Sequence, residues 1–595
     1  KNQFINGLNG SLEIGSAIYL HMKISLYVLT ILFCLSCCTQ NKLEEISIQL
    51  DKETLNPVRN PGEKGTLRVT GHYSNGKTSD FSLSDIALSV RTVSASGNVE
   101  VVALSGDQLI PKDGGLAEVT AVYQKDGATY QAKKRVVVAP YYRDYHQTLV
   151  LKLFMGYDGE LNEPDPNNVI FQKEDPSCLC TFAQALDVVK RVDNLTRGIP
   201  KIIYLVGWQR GGHDHLYPDW SVVNPKLKRE EDATALESLR WLIREARAYN
   251  TTISLHINMV DAFEESPLWD TYIKNDIIAR DVNGNLKSIW EYVKGHRAYH
   301  LSYTKEWEKG FAKKRIDNLI GMVPELKEGH TIHIDAFMAY WQPENRPLSP
   351  WHAKPENGGI DMYKEVETQR KIFKYWREKG FDVTGEGIFW AHPAGEGFVG
   401  LQPMSWWFPA DINFQMEVPE RLSARGRTHR DGQGDFRFGS SMQGEEIFQK
   451  DKDNLPGFLS QFCTMTLPWY YLSRLERAAF IDDALYYSDG VVARVEDGKN
   501  TIRKGDFILR ENDNLFVPAL WNENEIIAYS AEGYDNRSWR MPEGWEKVSS
   551  VDIYSITMNG STLKQSAVPV KNGLLMLTLE KEEAVSIVPA GIPLH

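Results

Sequence analysis

The sequence predicts a multidomain α/β protein in which a (β/α)8-type barrel is flanked by an N-terminal and a C-terminal β-sandwich. Three observations predict this order. From about residue 146 to 480, apolar strand-like runs alternate with amphipathic helical runs, the pattern of parallel strands joined by helices. Before that stretch, short alternating segments are broken by hairpin dipeptides. After it the helical period fades and strand-like alternation returns. A chain of 595 residues exceeds one ordinary domain, and its 42% hydrophobic and 25% charged content is that of a globular protein.

Residues 1–40 read as a signal and lipoprotein segment with its natural start at Met22. The run "MKISLYVLTILFCLSCCTQNKLEE" has a positive start, an apolar stretch from Ile24 to Leu35, and then cysteines before a polar segment. The apolar stretch is too short to span a bilayer, so it reads as a secretory signal. Leu35-Ser36-Cys37-Cys38 resembles a bacterial lipobox, with Cys38 as the acylated residue and Cys37 as the other candidate. The expected location is the bacterial cell envelope, lipid-anchored, in the periplasm or at the cell surface. Contact with the membrane is expected through the lipid alone.

Residues 41–142 read as a β-sandwich. "TLRVTGHYSNGKTSDFS" places Asn75-Gly76 between two strand-like runs, and Asp126-Gly127 plays the same part in "LAEVTAVYQKDGATYQAKKRVVVA". The pattern resembles bacterial immunoglobulin-like domains. Residues 143–480 carry the strand–helix alternation. The clearest strands are 148–156, 199–208, 251–259, 330–338 and 381–390, with 297–303, 405–410 and 462–471 as further candidates. Between them, "ATALESLRWLIREARAYN" puts Leu236, Leu239, Leu242, Ile243 and Ala246 on one helical face. "KEVETQRKIFKYWREKG" does the same with Val366, Ile372, Phe373 and Trp376 and stops at Gly380. Residues 481–595 read as a C-terminal β-sandwich.

Composition excludes several functions. A net charge of −12 with no basic stripe argues against a nucleic-acid partner. No phosphate-binding loop, dinucleotide fingerprint or nucleophile elbow is present. Three of the six cysteines lie in the signal segment, and Cys178-x-Cys180 is too tight for an ordinary zinc pair. Cys178, Cys180 and Cys463 are therefore expected as free thiols. No cofactor is called for, and the oligomeric state is not readable.

In an α/β barrel, polar side chains at the C-terminal ends of strands are the usual catalytic positions. Those ends here carry Trp208, Gln209, His213 and Asp214 in "GWQRGGHDHLYPDW", His256 and Asn258 in "HINM", His333 and Asp335 in "HTIHIDAF", and Glu386 in "TGEGIFW". Asp335 and Glu386 are two carboxyl groups on neighbouring units, the apparatus of glycoside hydrolysis. One attacks the anomeric carbon or activates water, and the other, held protonated, donates to the leaving oxygen. Trp390, Trp406 and Trp407 are loop aromatics that can stack on sugar rings.

These four motifs, in this order over about residues 200–410, resemble the catalytic barrel of the endo-α-N-acetylgalactosaminidases, glycoside hydrolase family 101. The resemblance implies a retaining glycosidase that removes α-linked N-acetylgalactosamine from O-glycans of mucin-type glycoproteins. It makes Asp335 the nucleophile and Glu386 the acid/base, with Asp214, His256 and Asn258 holding the sugar. A related family of exo-acting α-N-acetylgalactosaminidases shares the general layout, and an α-galactosidase-like exo-glycosidase is an alternative function. A metal-dependent barrel hydrolase is the rival class, with His213, His215, His256, His333 and Asp335 as ligands, although the expectation is no metal. A non-catalytic glycan-binding lipoprotein using Trp341, Trp351, Trp390, Trp406 and Trp407 is the remaining reading.

Overall fold

The computed structural model describes residues 41–93, 100–157, 175–291, 297–337, 347–385, 404–407, 412, 416, 424–427, 435–443, 445–449 and 451–594. Near the start of that range, two sheets share one buried core. One pairs Leu43–Leu50 with Gly65–Tyr73 and continues into Gln108–Pro111 and Val102–Ser105. The other runs Thr54–Leu55, Ala128–Val138, Gly115–Lys125, Ile86–Thr92. Ile46, Ile48, Leu67, Val69, Val119, Ala121 and Val136 meet between them. The Asp126-Gly127 signal works as chemistry requires: both residues have positive φ (50° and 77°), which a tight hairpin turn needs and which glycine and aspartate tolerate.

The middle of the chain builds an eight-stranded sheet. Its strands are β1 (Leu149–Phe154), β2 (Lys201–Val206), β3 (Thr251–Asn258), β4 (Thr331–Asp335), β5 (Asp382–Gly385), β6 (Met404–Trp407), β7 (Ala424–Arg427) and β8 (Met442–Gln443). The order is β7-β6-β5-β4-β3-β2-β1-β8, and every adjacent pair is parallel. The last strand therefore returns to the first. Between strands lie α1 (Phe182–Leu195), α2 (Ala235–Glu245), α3 (Phe311–Met322) and α4 (Met362–Glu378). Thr181 and Thr234 cap α1 and α2 in full capping boxes with Gln184 and Glu237, and Asp361 caps α4. In α4 the expected stripe of Val366, Ile372, Phe373 and Trp376 is buried, and Gly380 at φ +96° follows its end. In α2, Leu239, Leu242 and Ile243 are buried, whereas Leu236 is only half-buried.

Two expected barrel strands are corrected. Residues 462–471 are helical, part of a continuous run from Leu455 to Leu472 that Asn454 caps by accepting from Gly457 N. An apolar run this long fits a buried helix as well as a strand, and Asn454 followed by Pro456 was the deciding signal. Arg297–His300 is a strand, but it pairs antiparallel with Asp261–Phe263 and Ser288–Glu291 in a separate small sheet that follows β3.

Beyond Arg477 the chain forms a large antiparallel sheet of twelve strands, ending at Glu583–Pro589. It is tied to the loop after α1. Glu525 Oε1 lies 2.8 Å from Arg197 Nε, and Trp521 Nε1 donates to the Arg197 carbonyl at 2.9 Å. A cavity of about 590 Å³ opens there, lined by Tyr471, Phe507, Met541 and Trp545 among others, and it contains none of the site residues.

Candidate active site

In β3, β4 and β5 the two-residue period of a strand sorts side chains by polarity. Ile253, Leu255, Ile257, Ile332, Ile334 and Val383 take one face; Ser254, His256, Asn258, Thr331, His333, Asp335 and Thr384 take the other. The register aligns His256 with His333 and Thr384, and Asn258 with Asp335. Because these polar groups are buried, they call for hydrogen-bond partners, and several find them in one another. Tyr145 OH donates to Thr331 Oγ1 at 2.8 Å, Thr331 meets Tyr204 OH at 2.6 Å, and Thr384 Oγ1 donates to Tyr204 OH at 2.9 Å. Burial pushes the Tyr204 hydroxyl up to about 12, so it stays neutral. With the Thr384 proton used there, His333 Nδ1 carries the hydrogen in its 2.9 Å bond to Thr384 Oγ1.

Asp335 stands on this polar base at the C-terminal end of β4, with 8% of its surface exposed. His256 Nε2 lies 3.8 Å from one carboxylate oxygen. Asn258 Nδ2 lies 3.4 Å from the other and 2.8 Å from Asp261 Oδ2. The Asn258 amide cannot turn over, because its Oδ1 accepts from Val260 N (2.7 Å) and Asp261 N (2.8 Å). Ala336, directly after Asp335, has φ +41°, a left-handed conformation that costs a non-glycine residue about 1–2 kcal/mol. The chain thus turns sharply at the carboxylate instead of continuing the strand. From behind, Trp208 Nε1 donates to the His256 carbonyl at 3.0 Å and Arg315 Nη1 reaches the Asn258 carbonyl at 3.4 Å.

The loop after β2 brings in His213 and Asp214. It begins at Gly207 (φ +71°), where a Cβ would fall 1.9 Å from the Gly156 carbonyl oxygen, so only glycine fits. That same carbonyl accepts from His213 N at 2.9 Å, which pins the loop to the end of β1. The His213 ring stands edge-on to His256 with centroids 5.4 Å apart, and its Nε2 is 3.3 Å from Asp214 Oδ2. Asp214 and Leu216 both take positive φ (57° and 59°).

The structure brings together His213, Asp214, His256, Asn258 and Asp335. Trp208, Gln209 and His333 are buried, as His256 and Asn258 are, and their polar atoms are engaged inside the protein. Gln209 Nε2 donates to the Gly212 carbonyl (2.6 Å) and to Tyr217 OH (3.1 Å), holding the loop. The His333 ring packs between Tyr204 and His256. Glu386, Trp390, Cys37 and Cys38 lie outside the described residues; Trp406 and Trp407 are described in backbone only, on β6.

Of the metal set weighed from sequence, only His213, His256 and Asp335 gather, with ligand atoms within 4.8 Å of one another. A tetrahedral zinc site needs donor atoms roughly 3.4 Å apart, so these side chains would have to close in. His215 instead packs edge-on against Phe263.

Sequence reading missed Asp261 and Tyr217. Asp261 is fully buried, and burial first, then the Asp214 carboxylate, hold its carboxyl well above the usual carboxylate range against the opposing Asn258 bond. Burial, then Asp214, Asp335 and Asp261, push the Tyr217 hydroxyl well up as well. The signal that could have found Asp261 is its spacing, three residues after a strand-end asparagine in "HINMVDAF".

Residues 168–380, the span that holds most of these groups, match the glycoside hydrolase family 101 profile, described as endo-alpha-N-acetylgalactosaminidase. A curated relative from Renibacterium salmoninarum, named "Putative endo-alpha-N-acetylgalactosaminidase", is 21% identical over 433 residues. That alignment spans 68% of this chain and 25% of the relative, so this chain covers about a quarter of that protein's length. Among solved structures, the ligand-free alpha-N-acetylgalactosaminidase NagBb from Bifidobacterium bifidum aligns at 11% identity with a TM-score of 0.39, covering 76% of this chain and 91% of that one. A maltogenic amylase from S. marinus aligns at 11% identity and a TM-score of 0.38, covering 89% and 81%. The segment that carries His213, His256 and Asp335 is thus similar to the endo-alpha-N-acetylgalactosaminidases of glycoside hydrolase family 101.

Proposed function

We propose that this chain is a glycoside hydrolase acting on α-linked N-acetylgalactosamine, with Asp335 as nucleophile and Glu386 as acid and base. The observation that carries the reading is Asp335 itself: a nearly buried carboxylate ending a parallel strand, with an imidazole and a fixed amide on it, inside the segment that matches the family. Gly385, the residue before Glu386, pairs with Ile334, the residue before Asp335, which supports neighbouring positions for the two carboxyl groups. In the proposed reaction, an Asp335 oxygen bonds the anomeric carbon while Glu386 protonates the departing oxygen. Water then attacks the same carbon, Glu386 takes its proton, and Asp335 leaves. His213, Asp214, His256 and Asn258 hold the sugar, with Trp208, Gln209 and His333 as the bracing behind them and Trp390, Trp406 and Trp407 as stacking surfaces.

The parallel sheet closes as a (β/α)8 barrel of residues 143–480, which the return of β8 to β1 supports. An immunoglobulin-like sandwich of residues 41–142 and a C-terminal sandwich of 481–595 flank it. The chain is a lipid-anchored envelope protein whose substrates are O-glycans of mucin-type glycoproteins. No cofactor takes part. Adjacent strands lie about 4.8 Å apart, which suits the roughly 5–5.5 Å carboxyl separation of a retaining enzyme.

The test is hydrolysis of an aryl α-N-acetylgalactosaminide and of the corresponding galactosyl-β-1,3 disaccharide, followed by NMR. The α-anomer is expected first, and Asp335→Ala is expected to fold and be nearly inactive. The β-anomer appearing first, or an active Asp335→Ala, would overturn the nucleophile assignment. One observation favours a second reading: the gathering of His213, His256 and Asp335 suits a metal hydrolase. Exhaustive EDTA treatment is expected to leave activity unchanged; loss restored by zinc alone would select that reading instead.

A further inference from the structure

Asp261 takes no part in the chemistry just described, yet it is completely buried beside it. It opens the short strand Asp261–Phe263 and pairs with His300, so its backbone is held firmly. Its Oδ2 accepts from Asn258 Nδ2 at 2.8 Å, and its Oδ1 has no hydrogen-bond partner among the described residues. Asn258 has two amide hydrogens and both point at carboxyl groups, because the two backbone N–H groups on its Oδ1 fix its orientation. One goes to Asp261; the other is directed at Asp335 Oδ2, 3.4 Å from the nitrogen.

We propose that Asp261 is a positioning residue that works in its neutral form, anchoring the Asn258 amide so that its second N–H stays on the Asp335 carboxylate. The inference rests on the glycosidase reading of the site. An ionised Asp261 would leave a charged oxygen buried without a partner, which is expensive. It would also compete with Asp335 for the same amide and add a second anion beside the nucleophile. A neutral Asp261 accepts one N–H and leaves the other for Asp335. The groups around it support the neutral form: Asn258, the Asp214 carboxylate, the buried hydroxyls of Tyr217 and Tyr303, and His300 on the paired strand, which burial keeps neutral, with no cation among the described residues acting on it.

Neutrality gives a sharp test, because an amide can replace a protonated acid. In the full-length chain, D261N is expected to keep kcat on an aryl α-N-acetylgalactosaminide within about threefold, as a hydrogen bond of the same kind is retained. D261A is expected to lose about 10–100-fold in kcat with KM little changed, the usual worth of a hydrogen bond to a charged group. In an N258A background the same D261A change is expected to have almost no further effect. Should D261A not fold, D261S takes its place, since serine is too short to reach Asn258. D261N as slow as D261A would overturn the inference, because the acidic proton itself would then be needed. An unaffected D261A, or an equal loss in the N258A background, would overturn it too. A wild-type chain that cleaves no α-N-acetylgalactosaminide overturns the glycosidase reading and this inference together, whereas an active wild type with an indifferent D261A overturns this inference alone.

Discussion

Asp335 is costly where it stands, and its neighbours show what offsets the cost. A carboxylate at 8% exposure loses most of its water, and the Asn258 amide and His256 imidazole replace part of it. The left-handed Ala336 then turns the chain away, so the carboxylate faces the site and not the next turn of backbone. The proposed partner Glu386 has a separate signature. Glu386→Gln is expected to cut turnover of substrates with poor leaving groups by about 10²–10⁴, the usual worth of general acid–base help. An aryl glycoside with an acidic phenol needs little protonation and is expected to lose far less in the first step. Burst kinetics on the two substrates checks this, and equal losses would remove Glu386 from the acid role.

At the scale of elements, buried carboxyl groups also join helices. Glu365 on α4 accepts from Ser302 Oγ (2.7 Å), Thr304 N (2.8 Å) and Thr304 Oγ1 (2.9 Å), which ties the start of helix Tyr303–Glu308 to α4. Burial, outweighing those bonds, raises its carboxyl to about 7 from an ordinary 4.5. The native state therefore keeps the proton between pH 4.5 and 7 while the unfolded chain releases it. Its contribution to stability is full below about pH 4.5, declines as pH rises through that window, and is flat above 7. The decline is on the order of 3 kcal/mol at about 1.4 kcal/mol per pH unit. Asp382, raised to about 7 by burial, adds a slope of the same sign. Glu365→Gln cannot ionise, so its melting temperature is expected to fall less than that of the wild type between pH 5 and 7.5. Parallel melting curves for the two proteins would contradict this.

At the scale of the whole molecule, the C-terminal sheet shares one buried apolar core with the parallel-sheet region, and a buried ion pair sits at the loop after α1. Arg197 and Glu525 are nearly buried, and Glu525 also accepts from Ser586 Oγ (2.6 Å) and Asn522 Nδ2 (2.9 Å). Removing one partner of a buried pair leaves the other charge stranded, at a cost of roughly 3–5 kcal/mol. Glu525→Ala is therefore expected to lower the unfolding free energy from denaturant titration by that order, with the Arg197→Met/Glu525→Leu double variant recovering most of the loss. A double variant no better than the single one would show that packing, not the stranded charge, sets the cost.

The sequence by itself determined what local pattern can carry. The alternation in "TTISLHIN" and "TIHID" put His256 with Asn258, and His333 with Asp335, on one face of each strand, because a strand's period is fixed by backbone geometry; that the two strands are neighbours came from the fold. The stripe in α4 and its glycine stop were legible for the same reason. The family resemblance was also legible, because motifs around Asp214, His256 and Asp335 occur in order within residues 168–380, the span that matches the family. Tertiary structure decided the rest. The strands β7 and β8 are only four and two residues long, too short to show a period. Residues 462–471 became helix, and Arg297–His300 left the parallel sheet, because an apolar run does not state its partners. Asp261 emerged only when folding buried it, set Asp214 nearby and turned one asparagine amide toward two carboxyl groups. Burial and register between distant segments set those protonation states, and neither is a property of any short stretch of chain.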